Sequence, residues 1–255
     1  MLVAITREVS PRLAECELSF QDRQLIDVAR AREQHAAYRT ALTELGARVI
    51  TLPTLPEFAD CVFVEDPAVV LDEVAILTRL GAESRCGESA SLAEELAQRR
   101  EVLRMVEPGT LDGGDVMRIE KTLYVGLSGR TNFAGIQQLA KLVQPFGYWV
   151  TPIEVRGCLH LKSACSYLGD ATILANRACI DTEGLCGIKI LDVPAHEPQA
   201  SNTLLMGDQL LMPSSYPATR DLLQSHGFAV RTVDISELIK AEAGVTCLSL
   251  IFDAA

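Results

Sequence analysis

The sequence is poor in several residue types on which common functional sites depend. It has one tryptophan and four histidines in 255 residues, and its 23 basic residues are outnumbered by 34 acidic ones. The net charge of −11 argues against a nucleic-acid-binding protein, because phosphate recognition requires a basic surface. The excess of carboxylates is compatible with a small cationic ligand.

Long apolar runs and closely spaced cysteine pairs are also absent. No apolar stretch approaches the ~20 residues that a transmembrane helix needs, and the segment MLVAITREVSP has no signal-peptide pattern. The eight cysteines include no C-x-x-C pair, and Cys158, His160 and Cys165 fit no common zinc spacing. We therefore expect a cytoplasmic protein with reduced thiols, no metal, no cofactor and no membrane association.

A structural unit recurs along the chain. Residues 111–143 predict a strand, a turn at Glu120-Lys121, a second strand, a polar loop and a helix. Apolar residues at 136, 139, 140 and 143 mark the buried face of this helix, and Thr131 or Asn132 is the candidate N-cap. Residues 61–98 and 202–226 repeat the plan, whereas residues 160–177 predict only its two strands. In 61–98, the pair Glu65-Asp66 interrupts an apolar strand.

The fifth unit is split between the two ends of the sequence. TCLSLIF (246–252) predicts its first strand, LVAIT (2–6) its second strand, and residues 33–46 its helix. The five units begin 42 to 50 residues apart, which predicts a five-bladed α/β propeller with pseudo-fivefold symmetry, closed by pairing of the N- and C-terminal segments. We expect one catalytic domain over 1–255; the alternative is an α/β sandwich with uneven strands.

In such a ring, the starts of the first strands converge near the axis. Asp112, His160, Asn202 and Cys247 lie at these matched positions, together with the acidic segment 60–66. A thiol nucleophile needs a neighbouring base or cation and a proton donor for the leaving group. Several carboxylates beside a cysteine and a histidine suit a planar cationic electrophile such as a guanidinium group.

Five segments in this order resemble one family: FVEDP, TLDGGDV, SGRTN, LHLKS and GVTCLSL. They are similar to the dimethylarginine dimethylaminohydrolases of the guanidino-group modifying (pentein) superfamily, whose fold is a five-bladed α/β propeller. EQH near residue 33 and TRLGAESR at 78–85 add to the resemblance, which covers nearly the whole chain. Leu80 and Ala241 depart from residues common in the family.

The resemblance implies hydrolysis of N-omega-methylated arginine to citrulline and a methylamine. Cys247 would attack the guanidinium carbon to form a covalent thiouronium, His160 would act as acid and then base, and Asp112 would hold His160. The implied substrate-binding residues are Leu18, Asp60, Glu65, Asp66, Arg85, Arg130 and Ala241, the last through its backbone.

The same residues are compatible with other functions. An arginine deiminase or an amidinotransferase would share the plan, and a non-enzymatic propeller binding protein would share the fold. The presence of the cysteine, the histidine and the acids disfavours the binding protein. We expect a small cationic amino-acid substrate and no nucleic-acid or membrane partner; a homodimer is compatible with the family.

Overall fold

The computed structural model describes residues 1–254 and contains six helices and fifteen strands within that range. The helices are α1 (Val28–Glu44), α2 (Ala93–Ala97), α3 (Phe133–Val143), α4 (Leu161–Ala164), α5 (Pro217–Ser225) and α6 (Ser236–Ile239). The strands are β1 (Leu2–Arg7), β2 (Arg48–Leu52), β3 (Ala68–Val70), β4 (Val74–Leu77), β5 (Glu101–Arg104), β6 (Val116–Ile119), β7 (Thr122–Leu127), β8 (Trp149–Glu154), β9 (Cys165–Gly169), β10 (Thr172–Ala175), β11 (Lys189–Asp192), β12 (Leu204–Met206), β13 (Gln209–Pro213), β14 (Ala229–Val233) and β15 (Leu250–Asp253). None of the helices in this part of the chain is long and apolar enough to cross a membrane.

The strands form five sheets of three strands each, with the same plan throughout. In each sheet the central strand pairs antiparallel with one neighbour and parallel with the other, as β7 does with β6 and β8. In four of the five sheets a helix leads from the central strand to the parallel strand. In the remaining sheet, β9–β11, residues 176–188 make this connection without a helix. The five matching units confirm the repeat that the sequence predicts.

One of these sheets combines strands from opposite ends of the sequence. β1 pairs antiparallel with β15, in a register that places Leu2 opposite Asp253, and parallel with β2. The predicted assembly of a split unit from TCLSLIF and LVAIT is therefore present as a sheet.

The parallel outer strands are absent from the sequence-based prediction, which gave each unit two strands and at most a helix. β2, β5 and β14 show why, since each is short and only partly buried. Such segments have neither the continuous apolar run of a buried strand nor a clean alternation of apolar and polar residues.

The predicted first strands also begin too early in the sequence. Asp112 and His160 precede their strands, with short helical turns at Gly113–Asp115 and Leu161–Ala164 in between, and Cys247 lies within the turn Thr246–Leu248 that precedes β15. Glu65 and Asp66 likewise lie before β3 and do not interrupt a strand. The apolar residues of these turns are buried as strand residues would be, so burial alone could not distinguish the two structures.

N-cap side chains determine where α1 and α3 begin, and each of these helices packs through one buried face. Asn132 caps α3 by accepting a hydrogen bond from the Gly135 amide at 2.7 Å, as predicted. Asp27 caps α1, which begins five residues earlier than the predicted start. The buried face of α1 includes His35, Tyr38 and Leu42, so this long helix packs beneath the turn that carries Cys247.

Candidate active site

Seven of the predicted site residues meet around one small cavity of about 20 Å³. It is lined by Asp60, Asp66, Arg85, Arg130, His160, Ala241 and Cys247, together with Glu17, Phe63, Leu159, Glu242 and Ala243. These residues come from all parts of the sequence, and the segments before the strands bring them together. The cavity has room for a water molecule and is far smaller than the ~300 Å³ or more of a typical ligand pocket.

His160 is buried between two carboxylates. Its Nε2 lies 3.1 Å from Asp112 Oδ2, and its Nδ1 lies 3.9 Å from Asp66 Oδ1. Burial by itself lowers the pKa of His160, but the charges of Asp66, Asp115 and Asp112 outweigh it and raise that pKa to about 9. The imidazole is therefore protonated near neutral pH and can donate a proton.

The two aspartates of the TLDGGDV segment hold this histidine from different directions. Asp112 Oδ1 accepts a hydrogen bond from the Gly81 amide at 2.8 Å, which leaves Oδ2 directed at the imidazole. Asp115 is fully buried, and its Oδ1 accepts from the amide of Leu161, the residue after His160, at 2.8 Å. Asp115 therefore fixes the backbone that carries the imidazole, a role that the sequence reasoning missed.

Cys247 lies at the centre of a tightly held turn. Its Sγ accepts a hydrogen bond from the Gly244 amide at 3.3 Å, and its carbonyl accepts from the Glu65 amide. The fully buried hydroxyl of Tyr38 contacts Val245 O at 2.8 Å and Ser249 Oγ at 2.7 Å, on either side of the cysteine. The thiol therefore sits on a short turn that is anchored at both ends.

The electrostatics of the cavity favour a cationic ligand. Burial raises the pKa of the Cys247 thiol to about 12, and the charges of Glu65 and Asp66 act in the same direction. Burial also acts to raise the pKa of Asp66, but His160 and Arg85 oppose it and hold that pKa below its usual value. Without a ligand the site therefore holds a protonated thiol, an imidazolium and an ionised Asp66.

Nearly all of the guanidinium N–H groups of Arg85 donate hydrogen bonds to protein atoms. Its Nη1 donates to Asp66 Oδ2 at 2.7 Å, its Nε and Nη2 both donate to Glu88, and Nη2 also donates to Phe63 O. One of the five guanidinium N–H groups is left over. Arg85 is 4% exposed and mainly neutralises the buried carboxylates around it.

Asp66, Asp112 and His160 form the one group of possible metal ligands among residues 1–254, with ligand atoms within 4.8 Å of one another. Asp66 already pairs with Arg85, which Glu88 shares, and Asp112 already holds the imidazole. The three residues therefore fit an ion-paired proton-transfer site, in which each group already has a partner.

Comparisons with known proteins all lead to one family. A family model described as N,N dimethylarginine dimethylhydrolase, eukaryotic, matches residues 14–183. The dimethylarginine dimethylaminohydrolase of Streptomyces coelicolor is 43% identical over 97% of this chain and 95% of its own length. That of Pseudomonas aeruginosa is 37% identical over 89% of this chain and 90% of its own length.

The chain belongs to the dimethylarginine dimethylaminohydrolase family. A solved structure of the P. aeruginosa enzyme, a cysteine-to-serine variant complexed with citrulline, superposes with a TM-score of 0.93 at 33% identity and 98% coverage of both chains. The N-terminal domain of a cyanobacterial arginine dihydrolase gives a TM-score of 0.84 at 19% identity over 98% of both chains, which shows a shared fold.

Three residues that the family resemblance nominates do not line the cavity. Asp112 lies behind His160, as its predicted supporting role requires. Leu18 lies in residues 17–21, a segment beside the cavity, and is half-buried there. Glu65 turns its carboxylate away from the cavity, to Lys162 and to the hydroxyl of Thr246.

The segment 17–21 beside the cavity is held by Glu242, a residue that was not predicted from the sequence. The Glu242 carboxylate accepts hydrogen bonds from the amides of Ser19, Phe20 and Gln21 at 2.5 to 3.1 Å. Glu242 has a φ of 59°, a left-handed conformation that non-glycine residues rarely adopt. At about 20 Å³ the cavity is too small for an amino acid, and Glu242 both lines it and holds this segment.

Proposed function

We propose that this protein hydrolyses N-omega-methylated arginine, as asymmetric dimethylarginine or monomethylarginine, to citrulline and the corresponding methylamine. The observation that carries the proposal is the convergence of Cys247, His160 and Asp66 on one cavity that also contains Arg130. Thiol, imidazolium and carboxylate supply a nucleophile, a proton donor and a binding group for a guanidinium. The activity named for the relatives in S. coelicolor and P. aeruginosa supports the assignment.

The charges along the cavity suggest how the substrate is oriented. The guanidinium lies against Asp66, beside the Cys247 thiol, and the α-carboxylate faces Arg130 and the remaining N–H of Arg85. Asp60 and the backbone at Leu18 and Ala241 surround the α-amino group. The side chain of Asp60 already accepts a hydrogen bond from the Glu17 amide at 3.1 Å, which keeps it oriented toward this end.

The first half of the reaction begins with the protonated Cys247 thiol and the His160 imidazolium. The positive charge of the bound guanidinium stabilises the Cys247 thiolate, whose proton passes to solvent. The thiolate attacks the guanidinium carbon, and the imidazolium of His160 protonates the methylated nitrogen as its bond to carbon breaks. The amine leaves, and a cationic thiouronium remains on Cys247 beside the Asp66 carboxylate.

The second half reverses the role of the histidine. Neutral His160 accepts a proton from a water molecule as the hydroxide attacks the thiouronium carbon. The carbon–sulfur bond breaks, the hydroxyl proton passes to the departing sulfur, and the ureido carbonyl of citrulline forms. Asp112 and Asp66 stabilise the imidazolium that this step restores. The cycle needs no cofactor.

We further propose that the five sheets form a closed five-bladed ring with pseudo-fivefold symmetry, in one catalytic domain over 1–255. The sheet that combines β1 with β15 supports closure at the two ends of the sequence. A cytoplasmic location and a homodimer stay predictions, to be checked by fractionation and by the mass of the protein in solution.

Turnover of asymmetric dimethylarginine and of arginine, measured as citrulline formation, tests the substrate assignment. We expect faster turnover of the methylated substrate; faster turnover of arginine would replace this assignment with that of an arginine deiminase.

Cys247→Ser tests the nucleophile and should lower turnover by about 10³-fold or more. The matched control is Cys186→Ser, because Cys186 is an exposed free thiol; undiminished activity of Cys247→Ser would rule out the mechanism.

A further inference from the structure

Glu65 has a different setting from its neighbour Asp66. Asp66 lines the cavity with Cys247, whereas Glu65 lines a separate cavity of about 630 Å³, and the two cavities share no lining residue. Both carboxylate oxygens of Glu65 are engaged, Oε1 by Lys162 Nζ and Oε2 by the Thr246 hydroxyl at 2.8 Å. Neither oxygen is directed at the site of a bound guanidinium.

These contacts are part of a closed ring of hydrogen bonds. Asn202 Nδ2 donates to Thr246 Oγ1 at 3.0 Å and to the Lys162 carbonyl at 2.9 Å, and Asn202 Oδ1 accepts from the Thr246 amide at 3.1 Å. The ring therefore runs from Lys162 through Glu65, Thr246 and Asn202 back to Lys162. It joins segments from four of the five sheet units.

The ring connects the two reacting groups of the site. Thr246 immediately precedes Cys247, and Lys162 follows His160 by two residues. The Glu65 amide also donates to the Cys247 carbonyl, at 3.3 Å. A displacement of Glu65 or Lys162 is thereby transmitted to the backbone of the thiol and to that of the imidazole.

The pair also sets the charge around the thiol. Beyond the effect of burial, the charges of Glu65 and Asp66 raise the pKa of Cys247, and that of Lys162 lowers it. The other charged groups around the cavity are His160, Arg85, Arg130, Asp60, Glu17 and Glu242. Lys162 compensates a carboxylate that would otherwise oppose formation of the thiolate.

We propose that Glu65 and Lys162 are positioning residues, which fix Cys247 relative to His160 and balance the charge behind the thiol, and that the Glu65 carboxylate does not bind the substrate. The inference rests on the proposed function for the identity of the nucleophile. The two adjacent acids of FVEDP therefore have different roles: Asp66 binds the guanidinium, and Glu65 supports the nucleophile.

The test compares Glu65→Gln with Lys162→Met in the full chain. Removal of the carboxylate should raise the rate of Cys247 alkylation by iodoacetamide at pH 8, and removal of the ammonium should lower it, each by about tenfold. Peptide mass mapping assigns the label to Cys247. The double variant should return close to the wild-type rate, and KM for dimethylarginine should change less than about threefold in Glu65→Gln.

Glu73 and Lys121 supply a matched control. They form a Lys–Glu pair at 2.6 Å, and Glu73 also accepts a hydrogen bond from the Tyr148 hydroxyl, as Glu65 does from Thr246. Glu73→Gln and Lys121→Met should leave the alkylation rate unchanged. If either site variant fails to fold, two milder variants replace it: Lys162→Arg keeps the charge, and Thr246→Val removes one hydrogen bond to Glu65. Thermal unfolding measures the stability of every variant.

Two outcomes would overturn the proposal. One is a rise of tenfold or more in KM for Glu65→Gln with an unchanged alkylation rate, because Glu65 would then bind the substrate. The other is a rate change of the same sign in Glu65→Gln and Lys162→Met, or no change in either. Alkylation needs no turnover, so these results are independent of which guanidine the enzyme prefers, and an active Cys247→Ser variant would refute the proposed function instead.

Discussion

The imidazole of His160 and the carboxylate of Asp112 are 3.1 Å apart and both fully enclosed by protein. With Asp66 on the other side of the ring, His160 keeps its proton to well above neutral pH. The two carboxylates therefore determine the order of events: His160 begins as an acid and becomes a base only after the amine has taken its proton.

The stability of the fold should depend on the charge of His160. Its pKa is about 9 in the folded state and near 6.5 in the unfolded chain, so its stabilising contribution is complete below pH 6.5 and is lost as pH rises through 9. Denaturant unfolding at pH 6 and pH 10 should show a loss of a few kcal/mol in the wild type beyond that in His160→Gln. Equal losses in the two proteins would mean that His160 is neutral when folded.

Arg130 should act on substrates that carry a carboxylate. Arg130→Ala should raise KM for dimethylarginine about 30-fold, equivalent to the ~2 kcal/mol of a charged hydrogen bond. The decarboxylated analogue, a dimethylguanidinobutylamine, should show less than a threefold change. A similar rise for both substrates would indicate that Arg130 acts only on the segment 17–21, through its contact with Ser19 Oγ at 3.3 Å.

Glu242 should control the mobility of the segment 17–21. Glu242→Gln removes the negative charge that three consecutive amides share, so the amides of Ser19, Phe20 and Gln21 should exchange hydrogen at least tenfold faster. KM should rise more than kcat falls, because Glu242 also lines the cavity. Glu15→Gln is the matched control, since Glu15 is an exposed acid paired only with Arg12 in the same region.

Gly114 lies where a methyl group would strike the catalytic groups. A Cβ there would be 2.6 Å from His160 Nδ1 and 2.8 Å from Asp66 Oδ1, so Gly114→Ala should displace the imidazole and lower kcat by about 10²-fold. Gly129→Ala, where nothing lies within 4 Å of the added carbon, should keep wild-type activity. Wild-type kcat in Gly114→Ala would mean that His160 does not act from the position seen here.

The sequence predicted the repeat and the convergence of Cys247, His160 and Asp66 on one cavity, because turn signals and apolar patterns recur at regular intervals. The predicted turn at Glu120-Lys121 is confirmed by the pairing of Ile119 with Thr122. Such patterns report burial and turns. They do not separate a strand from a short helical turn, which is why the first strands were predicted to begin too early.

The partners of the acids could not be predicted, because they depend on side-chain direction between distant segments. Glu65 and Asp66 are adjacent and equally acidic, yet one contacts Lys162 and the other contacts Arg85. The same holds for Tyr38 beneath Cys247 and for Glu242 above the cavity. Each is separated from its partner by some 200 residues or more, and only the folded arrangement of the units pairs them.

The sheet that combines β1 with β15 has a consequence for folding. Its antiparallel pair joins Leu2 to Asp253, so the loop that must close is almost the whole described chain, and contacts of such sequence separation form slowly. Cys247 lies three residues before β15, so the pairing of β15 with β1 also anchors the turn that carries the thiol. The contact that is most distant in the sequence is therefore part of the support of the nucleophile.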